Sequence, residues 1–135
     1  MTKYLVAYIS TLAAFLVLDG LWLGVLMGST YKAQLGSLML DSPKILPAAL
    51  FYLFYVVGII VFAILSGIEA QQWQRAALLG VLLGLMAYGA YDMTNLATLK
   101  GWPVTITLID IAWGAVVTGL SATAGYFAVN AWASR

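Results

Sequence analysis

The sequence predicts an all-α fold: an integral membrane bundle of four transmembrane helices with a short interfacial amphipathic segment after helix one. Of its 135 residues, 64% are hydrophobic and only 8% are charged, and the mean hydropathy is +0.99. A water-soluble domain is usually about a quarter charged. The apolar residues form four continuous stretches, each long enough to cross a ~30 Å hydrocarbon core as a helix. Because they do not alternate with polar residues, the pattern argues against a barrel of strands.

A single transmembrane domain over residues 1–135 follows, with helices at about 3–28, 43–66, 74–100 and 103–131. The first apolar stretch is too long for the core of a signal peptide, and no cleavage motif follows it, so we expect helix one to be retained. Gly28 ends this helix, and Ser29 or Thr30 is suited to cap a new one. The next segment has one apolar helical face, formed by Tyr31, Leu35, Leu38 and Met39.

The remaining boundaries follow from proline, glycine and charged residues. Asp41-Ser42-Pro43 is typical of a helix start, since proline suits the first turn, and Pro47 predicts a small kink. A polar link around Glu69 separates helices two and three. Lys100-Gly101-Trp102-Pro103 predicts a tight turn between helices three and four at the membrane surface.

The distribution of basic residues does not fix the orientation. With four spans both termini lie on one side, so Lys3, Arg75 and Arg135 face one way and three other lysines face the other way. This is a tie by the positive-inside count. The free amino terminus favours termini in the cytoplasm.

Composition also excludes several kinds of chemistry. Histidine and cysteine are absent, which removes the commonest general base and the soft metal ligands. A net charge of +1 gives no basic surface for nucleic acid. No cofactor is indicated. The serines have no histidine to activate them, so a serine hydrolase is disfavoured; an enzyme of another kind stays open, with a non-enzymatic protein favoured.

Three of the five acidic residues lie within predicted helices, at matching depths. Asp19 is nine residues before Gly28, and Asp92 is eight before the end of helix three at Lys100. Asp110 is seven residues after Pro103. At ~1.5 Å per residue, all three lie roughly 10–14 Å below one membrane face. Such carboxylates are costly in a bilayer, so the layer should hold a proton or share a cation.

Polar and aromatic side chains accompany these aspartates at helical spacing. Helices one and four share a short pattern, "LDGLWLG" and "IDIAWGA", in which tryptophan follows aspartate by three residues; seven residues do not establish an inverted repeat. The alternative to a binding site is that the aspartates are protonated and only hold helices together. The predicted polar intramembrane site consists of Asp19, Trp22, Tyr88, Tyr91, Asp92, Asn95, Thr107, Asp110 and Trp113.

Other aromatic residues and glycines have structural interpretations. Helix two carries an aromatic stripe that we expect to be packing surface: Phe51, Tyr52, Phe54 and Tyr55. The glycines of helices three and four are expected where helices pack closely, at Gly80, Gly84, Gly89, Gly114, Gly119 and Gly125.

The run "YDMTNLATLKGWPVTITLIDIAWG", together with "LDGLWLG", resembles the signature of a family of small bacterial inner-membrane proteins, domain of unknown function 2177. The resemblance spans essentially the whole chain. It implies a four-helix protein of the bacterial inner membrane and supplies no reaction.

Three functions stay open from the sequence. The first is a small carrier coupled to a proton or cation. A single four-helix chain is small for alternating access, so a homodimer is expected. The second is a module that binds membrane lipid, pigment or protein. The third is an enzyme or accessory factor of membrane lipid modification. A carboxylate cluster without histidine or thiolate would favour a hard cation such as magnesium, calcium or sodium.

Overall fold

A computed structural model describes residues 1–134, and every regular element in this range is helical. Four helices are long and apolar enough to cross a membrane. We call them the first to fourth spans: Thr2–Leu26, Ile45–Ala70, Trp73–Thr98 and Val104–Ala133. Consecutive spans run antiparallel. Short connections join the second span to the third and the third to the fourth, whereas a longer segment, residues 27–44, joins the first to the second and includes a short helix. The fold is therefore the predicted all-α four-helix membrane bundle.

The first span ends in an irregular turn. Its last five residues, Trp22–Leu26, form a π-helical turn, which the Met27 N–H closes on the Trp22 carbonyl at 2.7 Å. A short helix, Gly28–Leu35, follows without a side-chain cap, so the expected cap by Ser29 or Thr30 was wrong. A Cβ at Gly28 would collide with the Leu23 carbonyl oxygen, which is why glycine stands at this turn.

The predicted amphipathic face after the first span does not continue past the short helix. Gly36 has φ 54°, a left-handed conformation that ends the helix. Leu38 and Met39 beyond it are 52% and 38% exposed. Tyr31 alone is buried within this segment, and it points into the bundle.

The second span begins at Ile45, after an extended Lys44, two residues later than the proline pattern indicated. Pro47 is its third residue, where no intrahelical hydrogen bond is lost, so the predicted kink has no cause there. The irregularity lies instead at Ile60–Ile64, another π-helical turn. The span continues to Ala70 and ends on Gln71 at φ 55°.

The third and fourth spans share the most extensive interface in the bundle. Small residues allow the backbones to approach: a Cβ at Gly84 would collide with the Gly114 carbonyl, and one at Gly80 would lie 2.9 Å from the Thr118 carbonyl. Gly89 has no such neighbour within 4 Å, so the close-packing prediction was wrong at that position.

The apolar core lies between the first, second and fourth spans. Its largest fully buried side chains include Phe15, Ile59 and Ile64, and Val117 of the fourth span belongs to the same cluster. This core fills the bundle towards the termini and leaves the other end, where the short helix packs, more open.

Candidate functional site

A cavity of about 430 Å³ opens at the end of the bundle that lies opposite the termini. All four spans contribute to it, because it lies near the ends of the first and third and the beginnings of the second and fourth. Its walls combine two carboxylates with six aromatic rings and contain no lysine or arginine. The lining residues are Asp19, Trp22, Leu23, Ala48, Phe51, Tyr52, Ala87, Tyr88, Tyr91, Asp110 and Trp113.

Asp19 is held by two donors from different spans. The Tyr52 hydroxyl donates to Asp19 Oδ2 at 2.5 Å, and the Trp113 indole N–H donates to Oδ1 at 3.0 Å. The Tyr52 ring rests on Phe15, with centroids 5.5 Å apart. Both oxygens of this largely buried carboxylate therefore accept a hydrogen bond from a neutral donor. In residues 1–134 no cationic side chain pairs with its negative charge.

Asp110 is held from the short helix. The Tyr31 hydroxyl donates to Asp110 Oδ1 at 2.9 Å and accepts the Trp22 indole N–H at 3.1 Å. Burial raises the pKa of Tyr31, and although the Trp22 hydrogen bond lowers it, the Asp110 carboxylate raises it further. Tyr31 therefore stays protonated and remains a donor.

The two Asp/Trp motifs are linked crosswise. Trp22 and Trp113 stack face to face, with ring centroids 4.3 Å apart and planes inclined by 3°. Each indole N–H points towards the aspartate of the other span: Trp113 reaches Asp19 directly, and Trp22 reaches Asp110 through Tyr31. The stack thus joins the two carboxylates in one hydrogen-bonded unit.

Asp92 occupies a different position from the other two aspartates. It is 0% exposed, it does not line the cavity, and no hydrogen-bond donor of the described chain reaches either of its carboxyl oxygens. Its side chain lies within hydrogen-bonding reach of Asp110. Two carboxyl groups can hydrogen bond to each other only through a proton that one of them carries.

Tyr88 forms a wall of the cavity through a close helix contact. Its ring covers Gly114, so that a Cβ there would collide with ring atoms and lie 2.7 Å from the Tyr88 Cβ. On the other side Tyr88 meets Tyr55, with centroids 6.3 Å apart. The Tyr55 hydroxyl is bonded to Thr118 deeper in the bundle, at 2.8 Å.

Seven of the nine predicted site residues line the cavity or abut it, and two do not. Thr107 is buried at the start of the fourth span, where its hydroxyl donates to the Pro103 carbonyl at 3.0 Å and accepts the Trp102 indole N–H at 3.1 Å. Asn95 is only partly buried and does not contribute to the cavity. As a binding site, the set stays a prediction.

Sequence reasoning missed Tyr31 and Tyr52. Tyr52 lies seven residues after Ile45, or ~10 Å into the bundle, so the depth argument used for the aspartates could have found it. Its assignment to packing surface was incomplete, because its hydroxyl binds Asp19. Tyr31 was predicted only as part of the apolar face of the segment after the first span; its place in the bundle depends on the turn at Gly28, which the sequence did not indicate.

The three aspartates are not arranged as a metal-ligand set. Within residues 1–134, no group of three acidic side chains is placed so that it could hold a metal ion. The carboxylates of Asp19 and Asp110 face a cavity large enough for a small molecule.

The fold and this cavity define the class: a small four-span helical membrane protein with a polar, aromatic-walled cavity at one end of the bundle. The chain belongs to the family described as "Predicted membrane protein (DUF2177)", whose model matches residues 4–127. The match includes every residue of the cavity. Comparison with curated proteins and with solved structures gives no match.

Proposed function

We propose that this protein is a small membrane carrier that binds an organic cation in the cavity between Asp19 and Asp110. The observation that carries the proposal is the combination of two carboxylates with aromatic walls and no basic side chain in the lining. The hydrogen-bond donors to both carboxylates are neutral hydroxyls and indoles. These donors stabilise the negative charge of the two carboxylates but do not neutralise it, whereas a bound cation would.

The walls favour an organic cation over a bare metal ion. An ammonium group gains attraction from aromatic faces, and the cavity offers the rings of both tryptophans and three tyrosines. A hard metal ion instead needs six or more oxygen ligands, whereas the aspartates form no ligand set within residues 1–134. The volume of about 430 Å³ lies in the range of small-molecule sites.

We further propose that the protein lies in the bacterial inner membrane with its termini in the cytoplasm. The cavity then opens away from the cytoplasm. Because the chain contains no cysteine, single cysteines can report the orientation directly. In intact cells, a membrane-impermeant thiol reagent should label Ser37→Cys and leave Ser134→Cys unlabelled; the reverse pattern would invert the assignment.

Binding can be measured by calorimetry on the purified protein in nanodiscs of anionic lipid. Choline should bind saturably, and its uncharged carbon analogue should not. A carboxylate ~5 Å from a cation at an effective dielectric constant of ~20 contributes about 3 kcal/mol, so Asp19→Asn should weaken choline binding about 100-fold. Asp41→Asn, at an exposed loop position, is the matched control and should bind normally. Equal binding of choline and its uncharged analogue would refute the cation site.

The ammonium group could belong to a free solute or to a lipid headgroup, and two further measurements separate these sources. If the ligand is a lipid, nanodiscs containing choline-headgroup lipid should suppress binding of free choline, and the lipid should copurify. If the ligand is a solute, the lipid should have no effect, and proteoliposomes should exchange choline across the bilayer. Absence of exchange by a protein that binds choline would make it a binding module and not a carrier.

A further inference from the structure

The Asp92 carboxyl is the most costly polar group in the bundle. It is fully buried, and none of the described donors reaches its oxygens. A buried polar group without a partner costs several kcal/mol in an apolar medium, and a bare charge costs more. Since nearly all buried polar groups in proteins are satisfied, a partner for Asp92 has to be identified.

Asp110 is the available partner. The two side chains lie within hydrogen-bonding reach, and in residues 1–134 Asp110 accepts a side-chain hydrogen bond from Tyr31 alone. A proton placed between the two carboxyl groups satisfies Asp92 and removes one of two adjacent negative charges. The groups that face the pair from the surrounding elements can donate hydrogen bonds but carry no positive charge: Tyr31, Tyr52, Tyr88 and Tyr91.

The two members of the pair differ in access. Asp110 lines the cavity, whereas Asp92 lies behind it, out of reach of a ligand. A cation in the cavity therefore contacts Asp110 from one side, while the proton lies on the other side of Asp110, towards Asp92. Replacement of the proton by a cation leaves the net charge of the pair and its ligand unchanged. This exchange avoids the cost of accumulating charge of either sign in a low-dielectric environment.

We propose that Asp92 and Asp110 share one proton and that this proton is released to solution when an organic cation enters the cavity. The release of the proton on cation binding rests on the proposed function, whereas the shared proton does not. The step balances: one cation binds, the O–H bond of the protonated carboxyl group and its hydrogen bond to the partner carboxylate break, and water accepts the proton. The protein would then exchange protons for organic cations.

Infrared spectroscopy tests the shared proton without a ligand. At neutral pH the wild type should show the C=O stretching band of a protonated carboxyl group. Asp92→Asn should lose the band, because its amide can donate to Asp110 without a proton from solution. Asp19→Asn, which removes a carboxylate outside the pair, should keep it. A wild-type protein without this band overturns the pairing, whether or not Asp92→Asn folds.

Calorimetry in two buffers with different ionisation enthalpies tests the exchange. Choline binding to the wild type should release about one proton, and its affinity should rise about tenfold per pH unit, as one-proton linkage requires. Asp92→Asn should bind with an affinity that does not follow pH. Choline binding without proton release overturns the exchange and leaves the proposed function intact. No binding of choline overturns both, while the infrared band still decides the pair.

Discussion

Substitution of Gly114 by alanine is a direct test of how the cavity is built. The added Cβ would collide with the Tyr88 ring and lie 2.7 Å from the Tyr88 Cβ. Rotation of the ring cannot relieve the second contact, because the backbone of the third span fixes that Cβ. Since apolar carbons pack at about 3.5–4.0 Å, the third and fourth spans must separate by about 1 Å.

Such overpacking costs about 1–3 kcal/mol, and the gain in helix propensity from glycine to alanine offsets about 1 kcal/mol of it. We therefore expect Gly114→Ala to lower the free energy of unfolding by up to about 2 kcal/mol. Gly89→Ala is the matched control, because it lies next to Tyr88 with no atom within 4 Å of the added Cβ. It should be neutral or more stable by up to about 1 kcal/mol.

Denaturant titration in mixed micelles, followed by circular dichroism, measures the stability of both variants. Choline calorimetry on the same samples measures the cavity, and we expect Gly114→Ala to lose at least about tenfold in affinity, or about 1.4 kcal/mol, since Tyr88 moves with its span. Equal stability and equal affinity of the two variants would refute the helix contact as the support of the cavity wall.

Three further substitutions give separate expectations. Below pH ~10 the wild type should be more stable than Tyr31→Phe. Because the folded pKa of Tyr31 is raised, this difference in stability should shrink above pH ~10 by about 1.4 kcal/mol per pH unit. A difference that stays constant with pH in denaturant titrations would contradict the buried hydroxyl. Gln71→Gly should raise the melting temperature, since Gln71 at φ 55° pays a left-handed strain of about 1 kcal/mol that glycine avoids; an unchanged or lower value would contradict it. Tyr52→Phe should cost about 1.5–3 kcal/mol through the lost hydrogen bond to Asp19, and in a double-mutant cycle with Asp19→Asn the losses should not add; additive losses would show that the two side chains do not interact.

The fold could be predicted from the sequence because membrane insertion depends on length and apolar composition. A continuous apolar stretch forms a helix wherever the backbone has no water to bond, and turn residues such as Gly101-Trp102-Pro103 mark the ends. The π-helical turns at Trp22–Leu26 and Ile60–Ile64 could not be predicted in this way. Their residues, WLGVL and IVFAI, are apolar like those of the helices around them and include no proline, so no local pattern marks either turn.

The site could be predicted in part. Residue counting gives the depth of a side chain in the membrane, but it does not give the contacts of that side chain. Counting brought Asp19, Asp92 and Asp110 to one level, and the structure locates the first and third on the cavity and the second behind it. The difference depends on the rotation of each helix about its axis. Counting from a helix end does not supply that rotation, and the short helix that brings Tyr31 into the bundle depends on a turn outside the spans.

The asymmetry between the two crossed motifs explains why the shared proton is assigned to Asp110 and not to Asp19. Asp19 has one donor on each oxygen, from Tyr52 and Trp113. Asp110 has a donor on Oδ1 alone, because Tyr31 stands between it and Trp22. The π-helical turn and the short helix, which place Tyr31 there, thus leave one carboxylate incompletely satisfied next to Asp92. The irregular end of the first span is therefore what separates a cavity carboxylate with a donor on each oxygen from one with an oxygen left for the proposed shared proton.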